Sequence, residues 1–306
     1  MKQLSPIRQT GLIAALVILW GVSFPINKMM LQYTPPLLFA GMRTLAGAIL
    51  LVLLMLPKRK QIQWKQHKHV YILSSLLNVV LFFGLQTYGL KMMSSGLFSV
   101  LVYLQPVLVA LFAWIWLREH MSVLKGIGLT FGILGVAAIS TRGEAGHIST
   151  IGVMLGIGTS ISWALGTVYV KKVSSVVHFM WLAALQCLIG GIILIIAGTL
   201  AEPWSAIQWN PIFWSGLGFS SIFGVTGSWI LYFTLVNSGE ASVVTSYTFL
   251  VPIVSVLTGM LFLHESFTVY LLLGLIFIGI SIGMVNLKPK SSPLKSGKHK
   301  IFNKLD

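Results

Sequence analysis

Apolar stretches of about twenty residues, broken by short polar punctuation, run through almost the whole chain. A helix needs ~20 apolar residues to cross the hydrocarbon core of a bilayer. That criterion predicts ten spans, at 11–31, 36–56, 70–90, 95–117, 122–140, 151–170, 177–199, 212–236, 241–263 and 267–287. The first run continues to about Met30 without a small-residue cleavage site, so it reads as a retained span. The intervening loops are short and leave no room for a soluble domain. The expected fold is an all-α polytopic membrane protein. Polar tails occupy residues 1–10 and 288–306.

Composition agrees with the pattern. The 306 residues are 56% hydrophobic and 9% charged, where a soluble domain carries about 25% charged residues. The mean hydropathy is +0.89. The net charge of +15 would suit nucleic acid in a soluble protein. Here the cations punctuate apolar segments instead, as a topology signal does, so the expected partner is the lipid bilayer and not nucleic acid. With the N-terminus inside, 17 lysines and arginines fall on the cytoplasmic side and 3 (Lys28, Lys91, Arg142) outside. This bias predicts a multi-pass protein of the cell membrane with both termini cytoplasmic.

The pattern occurs twice. "WGVSFPINK" at 20–28 aligns with "WALGTVYVK" at 163–171, and "YLQPVLVALFAWIWLREHMSVLKGIG" at 103–128 with "FLVPIVSVLTGMLFLHESFTVYLLLG" at 249–274. Each half holds five predicted spans, residues 11–141 and 151–287, joined by an external linker at 142–150. Five is odd, so the halves enter the membrane from opposite sides. That is an inverted repeat, an architecture of alternating-access transporters.

These segments, with "PPLLFAGMRTLAGAILL" at 35–51, resemble the EamA-type branch of the drug/metabolite transporter superfamily over about residues 10–287. The resemblance implies ten helices in two EamA repeats around a central cavity, and transport of small metabolites, often outward. Pro25 after "WGVSF", and "LHES" where the family usually has Gly-Glu, depart from its pattern.

Polar side chains inside hydrocarbon are costly, so their positions are informative. Spans two, five, seven and ten are nearly all apolar and read as scaffold, leaving the other six to surround a cavity. Helical spacing groups Trp20, Ser23 and Asn27 on one face, and Ser99, Tyr103 and Pro106 on another, with repeat mates Thr245, Phe249 and Pro252. Trp163 and Thr167 share a third face, Ser228 and Tyr232 a fourth, and Tyr88 ends a polar run in span three. These are the candidate substrate-binding residues. Hydrogen-bonded helix packing is the alternative for any single Ser or Thr.

Pro106 and Pro252 fall mid-span and are candidate hinges, with packing kinks the alternative. Pro25 is expected to loosen span one, and Lys28 to snorkel to the outer interface. Lys28 and its mate Lys171 read as gate residues or plain anchors. Glu119 and Glu265 are the matching acids on opposite sides. Arg43 is the one charge buried within a span, its mate is the uncharged Gln186, and Glu265 is a candidate partner for it. The G-x-x-x-G patterns at Gly128/Gly132 and Gly279/Gly283 read as close helix packing, within the protomer or between two copies in a homodimer.

No cofactor or metal is expected. His67 and His69 form an isolated pair, Cys187 is the sole cysteine, and no nucleotide-binding Gly-rich Lys loop occurs. No acid falls at mid-depth, so neither catalysis nor proton coupling has a candidate group. The expected function is transport of a small organic solute by an exporter or exchanger. An uncoupled facilitator or channel, and a membrane receptor, are the alternatives.

The topology is directly testable. In a Cys187→Ser background, a cysteine at Ser205 should react with an impermeant thiol reagent added outside, and one at Ser296 should not. The reverse pattern would overturn the inverted arrangement.

Overall fold

The computed structural model describes residues 5–118, 121–141, 149–173, 176–235 and 248–286. Among them every regular element is helical. Six helical stretches are long and apolar enough to cross a membrane: Ile7–Met30, Pro36–Gln61, Trp64–Met92, Ser95–Leu117, Thr150–Val173 and Phe179–Ala201. Val123–Gly135, Val251–Leu263 and Val269–Met284 are shorter apolar helices. Ile49, Leu53, Leu54, Ile133, Ile196 and Leu261 stand exposed on the outside of the bundle. In a membrane protein such a surface meets lipid tails. The chain is a polytopic membrane protein.

Helix α1 (Pro6–Met30) starts under Ser5, whose hydroxyl accepts from Arg8 N. It runs on through Pro25, which has no N–H for the Gly21 carbonyl, so the helix lacks that bond there without being interrupted. Helix α2 (Pro36–Met55) follows. The third stretch is divided: α3 (Trp64–Ser75), a wide π-type segment (Leu76–Leu81), then α4 (Phe82–Met92). The fourth divides into α5 (Ser95–Val102) and α6 (Gln105–Leu117). Next come α7 (Val123–Thr141), α8 (Thr150–Val173) and α9 (Phe179–Ala201). Helices α10 (Pro211–Phe219) and α11 (Ser228–Leu235) flank a second π-type segment, Ser220–Gly227. Helices α12 (Val251–Leu263) and α13 (Val269–Asn286) complete the described chain.

Proline explains the division of the fourth stretch. Pro106 is the second residue of α6 and Pro252 the second of α12. A proline cannot donate to the preceding turn, but it fits the first turn of a new helix, where the N–H would be unsatisfied anyway. The helix therefore stops at Tyr103–Leu104, upstream of Pro106, and restarts. Helices α6 and α12 also end alike. Arg118 (φ 55°) and His264 (φ 53°) are the described non-glycine residues with positive φ, and each closes its helix by donating to the carbonyl of Ala113 or Gly259. These ends fall at the positions aligned in the sequence.

Packing pairs α2 along α9 and α7 along α13, while α1 lies against α12, and α8 against α4, α5 and α6. The α2–α9 contact is close because glycines line it. A Cβ on Gly191 would stand 2.8 Å from the Leu45 backbone nitrogen, and one on Gly41 the same distance from that of Ile195. In α7, Gly132 and Gly135 receive Ser281 and Ile278 of α13. Gly279 and Gly283 have nothing within 4 Å among the described residues, so that part of the small-residue pattern does not mark a contact inside the protomer. Near the basic turn after α2, Trp181 Nε1 donates to the Lys58 carbonyl, and burial with the nearby Lys58 charge lowers the His178 pKa.

Close packing at Gly191 predicts a clear asymmetry. Gly191→Val should destabilise the protein by about 1–3 kcal/mol through overpacking, whereas Gly279→Ala should not destabilise it. Thermal unfolding in detergent checks both.

Candidate functional site: a central aromatic cavity with one buried cation

Trp20, Ser23 and Asn27 recur on one face of α1, and that face looks into a cavity at the centre of the bundle. The cavity has about 600 Å³ of atom-free space, its mouth included. The remaining wall is Phe24, Arg43, Asn78, Phe82, Phe83, Gln86, Val102, Tyr103, Trp163, Gly224 and Trp229. Its rings form a connected set. Trp163 meets Trp20 edge-on at 6.0 Å and Tyr103 at 5.7 Å, and lies 5.2 Å from Phe82. Ring pairs at such separations attract through edge-to-face and offset geometries.

Five of the predicted binding residues line this space: Trp20, Ser23, Asn27, Tyr103 and Trp163. Four others turn to the protein's own polar groups. Tyr88 donates to a Glu202 carboxylate oxygen at 3.0 Å, and Ser99 to the Gly96 carbonyl at 2.6 Å. Thr167 accepts from Gln105 Nε2 at 3.0 Å and donates to the Trp163 carbonyl. Ser228 donates to the Phe223 carbonyl. None of these four is in the cavity wall. Tyr232 stands behind the wall, its ring 5.8 Å from Trp20 and 6.1 Å from Trp229. Thr245 lies outside the described residues, as does the Phe249 side chain.

Sequence reasoning missed one wall. Asn78, Phe82 and Gln86 repeat at i, i+4 and i+8, the same signal that marked Trp20, Ser23 and Asn27. It also assigned span two to scaffold, yet α2 delivers Arg43 to the cavity. Arg43 is only 3% exposed. One guanidinium nitrogen donates to Gln86 Oε1 at 2.8 Å, and the group lies 4.4 Å from the centre of the Phe83 ring and 5.6 Å from that of Phe39. Its Nε has no hydrogen-bond partner. The suggested pairing of Arg43 with Glu265 does not occur, because Glu265 is engaged elsewhere. Gln186, the mate of Arg43, accepts from Ser74 and Asn78.

Lys28 does not snorkel to an interface. It donates to the Met93 carbonyl at 2.7 Å and pairs with Glu265 at 3.2 Å. The Glu265 carboxylate also accepts from Ser95 N at 2.6 Å, Ser95 Oγ at 2.8 Å and Gly96 N at 3.2 Å. It thus caps α5 from the far half of the chain, where the exposed N–H groups and helix dipole favour an anion. Glu202 does the same for α2, accepting from Leu37 N at 3.0 Å and Leu38 N at 2.9 Å. Lys171 is exposed near the end of α8, and Glu119 lies outside the described residues. Among the described residues no group of three histidines, cysteines or acids could hold a metal ion.

The profile of the EamA-like transporter family matches residues 9–141 and again 150–287. The chain belongs to the EamA-like transporter family. The "Uncharacterized transporter YvbV" of Bacillus subtilis is 51% identical over 291 residues, 95% of each chain. The "Uncharacterized inner membrane transporter YedA" of Escherichia coli is 28% identical over 260 residues, covering 84% of this chain and 83% of that one. One solved crystal structure superposes with a TM-score of 0.65 at 15% identity, over 92% of this chain and 96% of that one, and shows a shared fold. The family and its named relatives place the EamA chain among transporters rather than enzymes.

The charge cluster predicts unequal single substitutions. Lys28→Ala removes one ion pair, whose lysine side chain is 27% exposed. Glu265→Ala also strips the cap from α5, a loss of about 0.5–2 kcal/mol in itself. Thermal unfolding should rank Glu265→Ala as the less stable protein.

Proposed function

We propose that this EamA protein moves a small organic solute across the cell membrane by alternating access, as an exporter or exchanger, with both termini in the cytoplasm. Its working parts are two inverted five-helix repeats, residues 11–141 and 151–287. One observation carries the reading: a central aromatic cavity is walled by both halves, and the Lys28–Glu265 bridge ties the halves together at one end of the bundle. Packing supports it. Helices α2 and α9, which hold aligned positions of the two halves, lie along each other, as do α7 and α13. Helix α1 rests on α12 of the other half, and α8 on α5 and α6 of the first.

In this reading the Lys28–Glu265 pair is an outer gate and Lys171 with Glu119 its inner counterpart. Pro106, at the break between α5 and α6, and its mate Pro252 are the hinges. The break before Pro106 leaves α5 and α6 as short helices that can tilt against each other without disrupting a regular hydrogen-bond ladder. Among the described residues the cavity wall holds neither carboxylate nor histidine, which favours exchange or uniport over proton coupling.

Accessibility and flux test the mechanism together. In a Cys187→Ser, Ser23→Cys protein, Glu265→Gln should raise labelling from outside by an impermeant thiol reagent. Pro106→Ala and Pro252→Ala should each reduce solute flux in proteoliposomes and shift labelling in opposite directions. Unchanged flux in both proline variants would place the hinges elsewhere.

A further inference from the structure

Among the described residues the cavity contains a charge without a counter-charge. Arg43 is the one ionic side chain among the described residues of the wall, and it makes no ion pair among them. A guanidinium has five N–H donors, and its protein hydrogen bond here is the single one to Gln86 Oε1. Nε is buried without an acceptor. Buried polar groups are ordinarily satisfied, and buried cations ordinarily paired. Ring faces at Phe83 and Phe39 soften the deficit without supplying an acceptor.

We propose that the missing anion arrives with the solute: an organic monocarboxylate with an apolar or aromatic body, its carboxylate bound by Arg43. This rests on the transport reading above and names its substrate class. The planar fork of Arg suits a carboxylate in bidentate geometry. A single cation in a wall whose other described residues are uncharged matches a monoanion. A doubly charged phosphate would leave one charge uncompensated, and a cationic solute would meet like charge. Trp20, Trp163, Phe82 and Trp229 give the solute's body flat apolar faces, and Asn27 and Asn78 offer polar groups beside it. Gln86 holds the guanidinium in place until the carboxylate binds.

Three matched probes test this: 3-phenylpropionate, its neutral amide and 3-phenylpropylamine. The tryptophans in the wall report binding through their fluorescence. The acid should quench saturably, with the amide and amine weaker by about tenfold to a hundredfold, the range for a charge-assisted contact. Arg43→Gln should erase the preference for acid over amide. Gln86→Glu guards against misfolding, because it puts a resident carboxylate where Arg43 already makes its hydrogen bond. That variant should stay folded and lose the acid preference. Equal binding of acid and amide to the unaltered protein, retention of the preference in either variant, or no saturable response to the acid overturns the proposal. Flux of radiolabelled probes in proteoliposomes separates the two levels. Acid that binds but never crosses overturns transport and leaves the subsite standing. Amide and amine crossing as fast as acid leaves transport standing and overturns the subsite.

Discussion

Peptide groups in hydrocarbon must find hydrogen-bond partners inside the protein, since the lipid offers none. This chain nevertheless interrupts its helices at Tyr103–Leu104, at the two π-type segments and at the ends marked by Arg118 and His264. Each interruption exposes backbone that something else has to satisfy. Polar side chains meet part of that demand, and serve helix starts as well. Glu265 covers the start of α5 and Glu202 the start of α2. Thr226 reaches from its own π-type segment to the Gly47 carbonyl of α2, and Ser162 to the Leu77 carbonyl of the other. Part of the chain's polarity is therefore committed to backbone groups at helix starts and along the π-type segments.

What escapes that commitment stands out. Asn27 accepts from Ser220, and Ser23 returns its proton to the Leu19 carbonyl, yet both still edge the cavity. Arg43 is different in kind. Insertion of a cation at mid-helix costs roughly 3 kcal/mol on translocon scales, and one amide oxygen does not offset the loss of hydration. Irregular backbone beside an aromatic chamber also gives helix segments somewhere to move. A continuous ladder resists bending, but a stop and restart at proline does not.

The apolar runs placed the six long helices, because hydrocarbon imposes a length that a sequence displays openly. Pro106 likewise pointed to a break that the backbone shows at Tyr103–Leu104. The face of Trp20, Ser23 and Asn27 was readable from helical spacing alone. Side-chain partners were not. Tyr88 and Trp163 look equally suited to a cavity in sequence, and only the arrival of Glu202 from α9's far end removes Tyr88 from it. Lys28 looked like an interfacial anchor because its acid lies at the opposite end of the chain. Pro25 loosens its helix without dividing it. A proline near the end of a long helix can be carried by packing, and Gly21 of α1 sits tightly against Val254 of α12.

Both helix-capping acids belong to the second half, and both serve helices of the first. Synthesis runs from the N-terminus, so α2 and α5 are made before Glu202, and long before Glu265. During that interval their leading amides have only each other, headgroups or water to turn to. The first half is therefore provisional as it leaves the ribosome. It becomes a finished structure when the second half closes over it, and the final seal waits for one of the last loops to be translated.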